Sequence, residues 1–546
     1  MMRTGLQLAS RASRRGPVFA RASRTTRSWT CTRSQSTAAA TSPEHPPFAA
    51  STGSLQLPST ISQVLDRPLQ SEVVVHGWIK TLRAQKEHTF VQVSDGTTAQ
   101  NLQIVVDGPV KGLQTGTALT ITGTLQPSPP GLKQSVELHA KPEQVRVVGA
   151  CDASYPLQKK RHGVDFLREI THLRPRTNTF AAAARVRNDL FFSLHNYFAH
   201  HGFLHLHTPI LTASDCEGAG ETFEILAPTE AGYTNREGPC SDYFGTPRVN
   251  LTVSGQLHLE MFAHAHPRVY TFSPSFRAEK TLSTRHLAEF AMLEAEMTFI
   301  DDLDTLLDVT TAMVRDAVTT VNPADLELLA QLVPQLASSG SPTRGKVDAA
   351  MRAEHVRAAM HRVEQLAGGY AVMTYTEAVQ YLATHPRAPK WQYPVRWGAD
   401  LQAEHEKFLA HQVGRPVYVT HYPRGLKPFY MLVDRVPATV PADVPVDPEL
   451  KGDFTTVANY DLLVPDLGEL LGGSLREHDA GALETAMVRA GLNVAAYQWY
   501  LDLRRYGGAP HGGFGLGFDR LVKHVTGLES VRDVVPVPRY YRECRY

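Results

Sequence analysis

Between residues 65 and 150 the apolar positions come in short alternating runs, EVVVHGWI, TFVQV, NLQIVV, ALTITGTL and QSVELHA to VRVV, broken by turn residues such as Asp95-Gly96 and Asp107-Gly108. Period-two alternation over such lengths predicts half-buried strands, and five of them joined by turns predict a small Greek-key barrel. Val91, Val93, Leu102, Ile104 and Val106 then face inward, leaving Phe90, Gln92, Asn101 and Gln103 on the outer face. From 180 to 200 the period lengthens to that of a helix, with Val186, Leu190, Leu194 and Phe198 as one buried stripe. The segment VYTFSPSFRAEKTLSTRHLAEFAMLEAEMTF reads as two strands joined by a basic loop, Lys280 to Leu287. Residues 301–414 are helix-patterned and polar, and are expected to be an insertion. Near the end, YGGAPHGGFGLGFDRLVKHVTG is a glycine-rich strand running into a helix.

The first 40 residues depart from this patterning, with eight arginines, many serines, no lysine and no acid; Glu44 is the first carboxylate. That composition, without an unbroken apolar stretch, is that of a mitochondrial transit peptide rather than a secretory signal, and a basic RNA-binding arm is the alternative. The expected organisation is a transit peptide at 1–45, a flexible lead-in at 46–64, the barrel at 65–150, a basic hinge linker at 151–178 and the catalytic domain at 179–546. Without residues 1–40, Lys+Arg falls from 55 to 47 against 54 Asp+Glu, so the charge moves from +1 to −7. A nucleic acid would therefore have to meet a local basic patch. No run approaches the ~18 apolar residues of a membrane span. Five scattered cysteines without a CxxC pair encode neither a disulfide framework nor a zinc site.

The candidate chemistry lies in the C-terminal half. Arg277 and Glu279 are two apart on a strand and share a face, as do Phe290, Met292, Glu294 and Glu296 across the hairpin. An arginine fork binds phosphate oxygens, a carboxylate accepts from an exocyclic amine, and a phenylalanine stacks on a purine. A surface ion-pair ladder is the competing reading, against which Arg285 and His286 place further cationic groups where a triphosphate would need them. Gly515 and Gly517 permit close backbone approach, and Arg520 sits in the first turn of the following helix, where an anion is favoured. A dinucleotide-binding turn fails here, because Arg520 stands at the third glycine and 26 residues cannot hold the rest of that unit. Gly340 to Lys346 (GSPTRGK) mimics a phosphate loop, but Val347 replaces its hydroxyl residue and the segment reads as a plain loop.

Taken together, FRAE with RHLAEF, GLGFDR and SGQLHLE resemble motifs 2 and 3 and the amino-acid loop of class II aminoacyl-tRNA synthetases. With an N-terminal OB-type barrel the chain is similar to their aspartate/asparagine/lysine subgroup, and SDCEGAGETF, SGQLHLE and GELLGGSLRE are closest to its asparaginyl members. The resemblance covers residues 70–300 and 415–546. It implies an α+β fold: an N-terminal OB-fold barrel reading an anticodon, plus a class II catalytic domain built on an antiparallel sheet flanked by helices. It also implies ATP as substrate with Mg²⁺, L-asparagine and tRNA(Asn) as partners, a homodimer through the Pro209 segment, and a mitochondrial matrix location.

By resemblance, Arg277 and Arg520 are the catalytic arginines. The ATP site is Arg277, Glu279, Arg285, His286, Phe290, Glu469, Gly517, Asp519 and Arg520, with Glu469 also the metal ligand. Glu217, Ser254, Gln256, Leu259 and Arg476 would bind the amino acid, and Phe90, Gln92, Asn101 and Gln103 the anticodon. Leu259 stands where aspartate enzymes of this subgroup have a lysine, and Glu279 is the acceptor expected for the substrate amide. An aspartyl enzyme, a tRNA-independent asparagine-forming relative and a catalytically dead RNA binder are the alternatives.

Overall fold

The computed structural model describes residues 57–132, 134–160, 162–216, 221–226, 241–246, 248–332, 349–385 and 391–546. The expected transit peptide, Glu217 and the Gly340–Lys346 loop lie outside the described residues.

The barrel is built from β1 (Glu72–Ala84), β2 (His88–Ser94), β3 (Leu102–Asp107), β4 (Ala118–Pro127), β5 (Val136–Ala140) and β6 (Val145–Gly149). The order β1-β2-β3-β5-β4 closes through β4–β1, and β6 adds to β4. The last of the five expected strands is thus two, divided by a 3₁₀ turn at Pro142–Gln144 that begins with a proline unable to donate to the ladder. Val91, Val93, Leu102, Ile104 and Val106 fill the barrel core, so the alternation was read in the right phase. The expected flexible lead-in requires correction at its end: Ile61–Leu65 is a helix, started by a Thr60–Gln63 capping box. Ile61 and Val64, three apart, share a face and join the barrel core.

The segment expected to be a hinge is also ordered by packing. Leu157, Val164 and Leu167 belong to the catalytic core. Arg174, 1% exposed, stacks over Phe180 at 4.5 Å and donates to the carbonyls of Arg532 and Val535 at 3.0 and 2.6 Å. Barrel and catalytic domain are tied by Arg185 donating to the Gly96 carbonyl and by Lys80 donating to that of Arg176.

In the catalytic domain, β7 (Leu204–His205) precedes a separate pair, β8 (Leu211–Thr212) with β9 (Asn250–Leu251). The large sheet adds β10 (Arg268–Phe276), β11 (Glu289–Thr298), β12 (Ala371–Thr374), β13 (Val417–Thr420), β14 (Asn459–Val464), β15 (Gly468–Leu475) and β16 (His511–Gly517). Its order is β12-β13-β14-β15-β16-β11-β10-β7; the outermost pairs are parallel and every pair between β13 and β10 is antiparallel. The 301–414 segment carries five helices among the described residues, yet it also contributes β12 to this sheet. Along β11, Leu293, Ala295 and Met297 enter a core shared with the helices Asn178–His200, Leu303–Thr319 and Phe518–Thr526. Val186, Leu190, Leu194 and Phe198 are fully buried in it. Alternation therefore turns Phe290, Met292, Glu294 and Glu296 to the opposite face.

Because Ile61 is the buried anchor of the barrel helix, Ile61→Ala should destabilise the barrel by about 2–4 kcal/mol. Hydrogen exchange should then be faster across β1–β4 and unchanged in β11 and β16; unchanged protection in β1–β4 would show that the helix does not brace the barrel.

Candidate active site

A cavity opens over β11, β15 and β16, and all nine residues expected around the nucleotide line it. Arg277, just beyond β10, stacks over Phe290 of β11 at 5.5 Å from the ring centre. Arg520 stands in the first turn of Phe518–Thr526 and donates to the Glu469 carboxylate at 2.9 Å and its carbonyl at 3.2 Å. Glu469, the second residue of the glycine-interrupted strand β15, lies 4.0 Å from Arg285 of the basic loop. Its burial raises its pKa, but Arg520, Lys427 and Arg285 outweigh that and hold it down at about 2, so it stays a carboxylate.

The basic loop is stiffened locally. Ser283 Oγ pairs with His286 Nδ1 at 2.5 Å and accepts from the Arg285 amide at 3.1 Å, while His286 Nε2 lies 3.6 Å from Glu279. Burial lowers the His286 pKa; Glu279 opposes this and Arg520, Arg285 and Arg277 add to it, which favours the neutral ring at pH 7. Arg285 donates to Glu406 at 3.1 Å, so the segment expected to be an insertion supplies a partner to the site.

Asp519 lines the cavity, but its oxygens accept from Arg187 at 2.5 Å and from the Ala291 amide at 2.9 Å. It positions the helix that carries Arg520. Gly517 is the residue before that helix, and a Cβ there would lie 3.3 Å from the Arg520 side chain. Glu279, expected to accept from the substrate's side-chain amide, is instead in this cavity beside His286.

Farther along β11 the face becomes a buried charge cluster. Glu294 accepts from Ser254 Oγ and from the Gly255 amide at 2.8 Å, which anchors the start of the helix Gln256–Ala263. Glu296 is held by Arg476 at 2.5 Å, whose other nitrogen donates to Ser474 at 2.6 Å. Glu260, fully buried, accepts from Gln256 at 3.1 Å, Tyr500 at 2.7 Å and Arg504 at 2.7 Å, with His511 at 3.0 Å. Burial pushes Glu296 up to about 7, opposed by Arg476 and reinforced by Glu260 and Glu294. Glu260 is driven the other way: Arg504 and His511 overcome its burial. Ser254, Gln256 and Arg476 thus belong to this cluster, adjoining the cavity through Gly515, where a Cβ would contact Met292 and Glu294.

Leu259 does not belong to it. It is fully buried in a small apolar cluster with Ala263, Val269 and Leu206. The helical period explains the correction: Gln256 and Glu260 are four apart and share a face, whereas Leu259 pairs with Ala263 on another.

Residues 164–541 match the family of tRNA synthetases class II (D, K and N), and residues 73–148 match the OB-fold nucleic acid binding domain. The asparagine–tRNA ligase of Geobacter metallireducens is 42% identical over 489 residues, covering 88% of this chain and 97% of that protein. The asparaginyl-tRNA synthetase of Mus musculus is 40% identical over 480 residues, covering 86% and 91%. This chain belongs to the asparaginyl-tRNA synthetases. Among solved structures, the Pyrococcus horikoshii asparaginyl-tRNA synthetase complexed with asparaginyl-adenylate superposes with a TM-score of 0.70 at 26% identity, covering 89% of this chain and 99% of that one.

On the barrel of this synthetase, Phe90, Gln92 and Gln103 lie on the outer face, with Gln92 opposite Gln103 in the β2–β3 ladder and accepting from Thr81 at 3.0 Å. Asn101 stands just before β3, half-buried. Sequence reasoning missed Glu260, Tyr500, Arg504, His511 and Glu406. For Glu260 a signal existed, its four-residue spacing from Gln256. Arg504 and His511 sit in LRRYGGAPHGG, where nothing local reveals that they meet a glutamate some 250 residues earlier.

Arg520→Ala should slow any reaction at the triphosphate by roughly 10² to 10³, about 3–4 kcal/mol. Leu259→Lys should unfold or precipitate the protein, since an unpaired ammonium in an apolar cluster is costly. A soluble Leu259→Lys variant that gained activity with aspartate would show that this side chain faces the substrate.

Proposed function

We propose that this enzyme activates asparagine with ATP and esterifies it to tRNA(Asn) in the mitochondrial matrix, as a homodimer using Mg²⁺. The observation that carries the reading is the single face of β11, on which a stacking ring and a basic cavity adjoin a buried acidic cluster. In the first step a carboxylate oxygen of asparagine bonds to the α-phosphorus of ATP as the bond to the β-phosphate oxygen breaks, releasing pyrophosphate. A hydroxyl of the terminal ribose of tRNA then attacks the acyl carbon, and AMP leaves. Neither step needs a protein nucleophile; both need positioning and charge neutralisation.

Arg277 takes the α-phosphate and the incoming carboxylate, Phe290 and Arg520 hold the adenine between them, and Arg285, His286 and Arg520 hold the far end of the triphosphate. Glu469 faces the cavity as an ionised carboxylate and would be the residue to hold magnesium there. Among the described residues no cluster of three or more His, Cys, Asp or Glu forms a separate metal cage. When bound, the ion would neutralise charge on the triphosphate.

At the amino-acid end three carboxylates, Glu260, Glu294 and Glu296, meet two guanidiniums, Arg476 and Arg504. Carboxylate oxygens gathered there suit an α-ammonium and an amide NH₂, and they oppose the second carboxylate of aspartate. The matrix location rests on the Arg-rich, acid-free leader. The dimer rests on the Pro209 segment, beside which Ile210 and Leu211 are 41% and 45% exposed.

ATP–pyrophosphate exchange with asparagine, aspartate and lysine tests the activity; exchange should be supported by asparagine and be at least 10⁴ weaker with aspartate. Faster exchange with aspartate would move the chain's substrate to the alternative. Phe90→Ala should weaken tRNA charging by the roughly 1–3 kcal/mol of one stacked base while leaving exchange intact. Equal loss in both assays would make Phe90 a packing residue. Fused to a reporter, residues 1–45 should direct it to mitochondria; a cytosolic reporter would remove the location.

A further inference from the structure

We infer that Glu406 is a positioning residue for ATP, holding Arg285 and the start of β15 at a fixed spacing, and that the 301–414 segment serves the site by mounting it; this rests on the ligase reading and deepens it. Glu406 does not line the cavity, so it acts through residues that do. Its Oε2 atom accepts twice, from Arg285 Nη1 at 3.1 Å and from the Glu469 amide at 3.2 Å. One carboxylate oxygen therefore bridges the basic loop and β15, whose side chains Arg285 and Glu469 lie 4.0 Å apart.

Gly468 makes the approach possible. Its φ of +84° suits glycine, and a Cβ there would collide with the Glu406 carboxylate and lie 3.0 Å from Arg285 Nη1. The mount itself is firmly rooted. Glu406 stands in the first turn of the helix Ala403–Val413. Its neighbour His405, buried, accepts from the Gln402 amide at 3.1 Å and has its other ring nitrogen 3.1 Å from the Tyr393 carbonyl. One turn on, Leu409 and Ala410 are buried with Tyr375 and Trp397 of the same segment and with Val417, Val419 and Leu463 of β13 and β14. That cluster ties the helix to the large sheet, so the carboxylate is fixed relative to the cavity floor.

An arginine on a loop has many rotamers to lose when it grips a phosphate. Glu406 removes that freedom beforehand. It engages Nη1 and leaves Nη2 to a phosphate oxygen, while its second contact keeps the Glu469 backbone, and with it the partner of Arg520, in register with the loop. The work is done by the position of one accepting oxygen rather than by its charge.

Calorimetry of ATP binding to the full chain, without amino acid, tests this in the wild type, Glu406→Ala, Glu406→Asp and Glu406→Gln. Alanine should weaken ATP binding about tenfold, and aspartate, whose carboxylate is one methylene short of both donors, should weaken it comparably. Glutamine keeps the accepting oxygen at the same reach and should stay within about threefold of wild type. In an Arg285→Ala background the effect of Glu406→Ala should shrink to about twofold, because its main partner is gone. In pyrophosphate exchange the KM for ATP should rise in the alanine and aspartate variants while the KM for asparagine stays within about twofold. Unchanged ATP affinity in the aspartate variant would overturn the inference. So would an aspartate variant that binds ATP better than the glutamine one, which would make charge the agent, or an equal loss with and without Arg285, which would make Glu406 a general packing residue. A wild type that does not bind ATP would instead remove the ligase reading, so the two failures are distinguishable.

Discussion

Three carboxylates buried at one end of a sheet have to be neutralised from within the fold, and much of the catalytic domain is arranged around that requirement. An unpaired buried charge costs several kcal/mol. Glu296 is matched by Arg476 from the end of β15, and Glu260 by Arg504 from the helix Gln498–Arg505 and by His511 from the start of β16. Glu294 is satisfied by the start of the helix Gln256–Ala263. The same contacts that solvate the charges therefore fix the register of β11, β15 and β16 and the placement of two helices. What results is a polar surface held in place before any substrate arrives, as electrostatic stabilisation of a developing charge requires.

The sheet must also leave room above that surface. Gly513 admits no side chain, because a Cβ would collide with the Ala295 carbonyl and the Glu296 carboxylate. At Gly515 a Cβ would take the space over Met292 that belongs to the cavity floor. Close approach between β11 and β16 thus both seats the carboxylates and empties the volume a nucleotide would occupy. The adjoining basic loop, braced by Ser283 and by Glu406, closes the cavity with positive charge.

What could be read from the sequence follows the range of the interactions. Alternation in β2 and β3 separates Val91 and Ile104 from Phe90 and Gln103, since a strand face is a local property. Val186, Leu190, Leu194 and Phe198 declare their burial for the same reason. That the nine residues line one cavity was legible because each lies in a short motif, although the motif does not reveal that Asp519 is occupied by Arg187 and Ala291. Leu259 was assigned by resemblance to a lysine position of aspartate enzymes, and a motif does not show which helix face each of its residues takes. The partnerships Glu260–Arg504, Arg285–Glu406 and Glu296–Arg476 join residues more than a hundred apart, and no local pattern encodes them.

The central claim is that one face of β11 holds the nucleotide at its Phe290 end and asparagine at its Glu294 end. A crystal structure with a non-hydrolysable sulfamoyl analogue of asparaginyl-adenylate tests it most directly. The account predicts the adenine between Phe290 and Arg520, the phosphate mimic at Arg277, and the asparagine group beside Glu294 and Arg476. An analogue bound with its adenine away from Phe290, or its asparagine group against Leu259, would contradict the account.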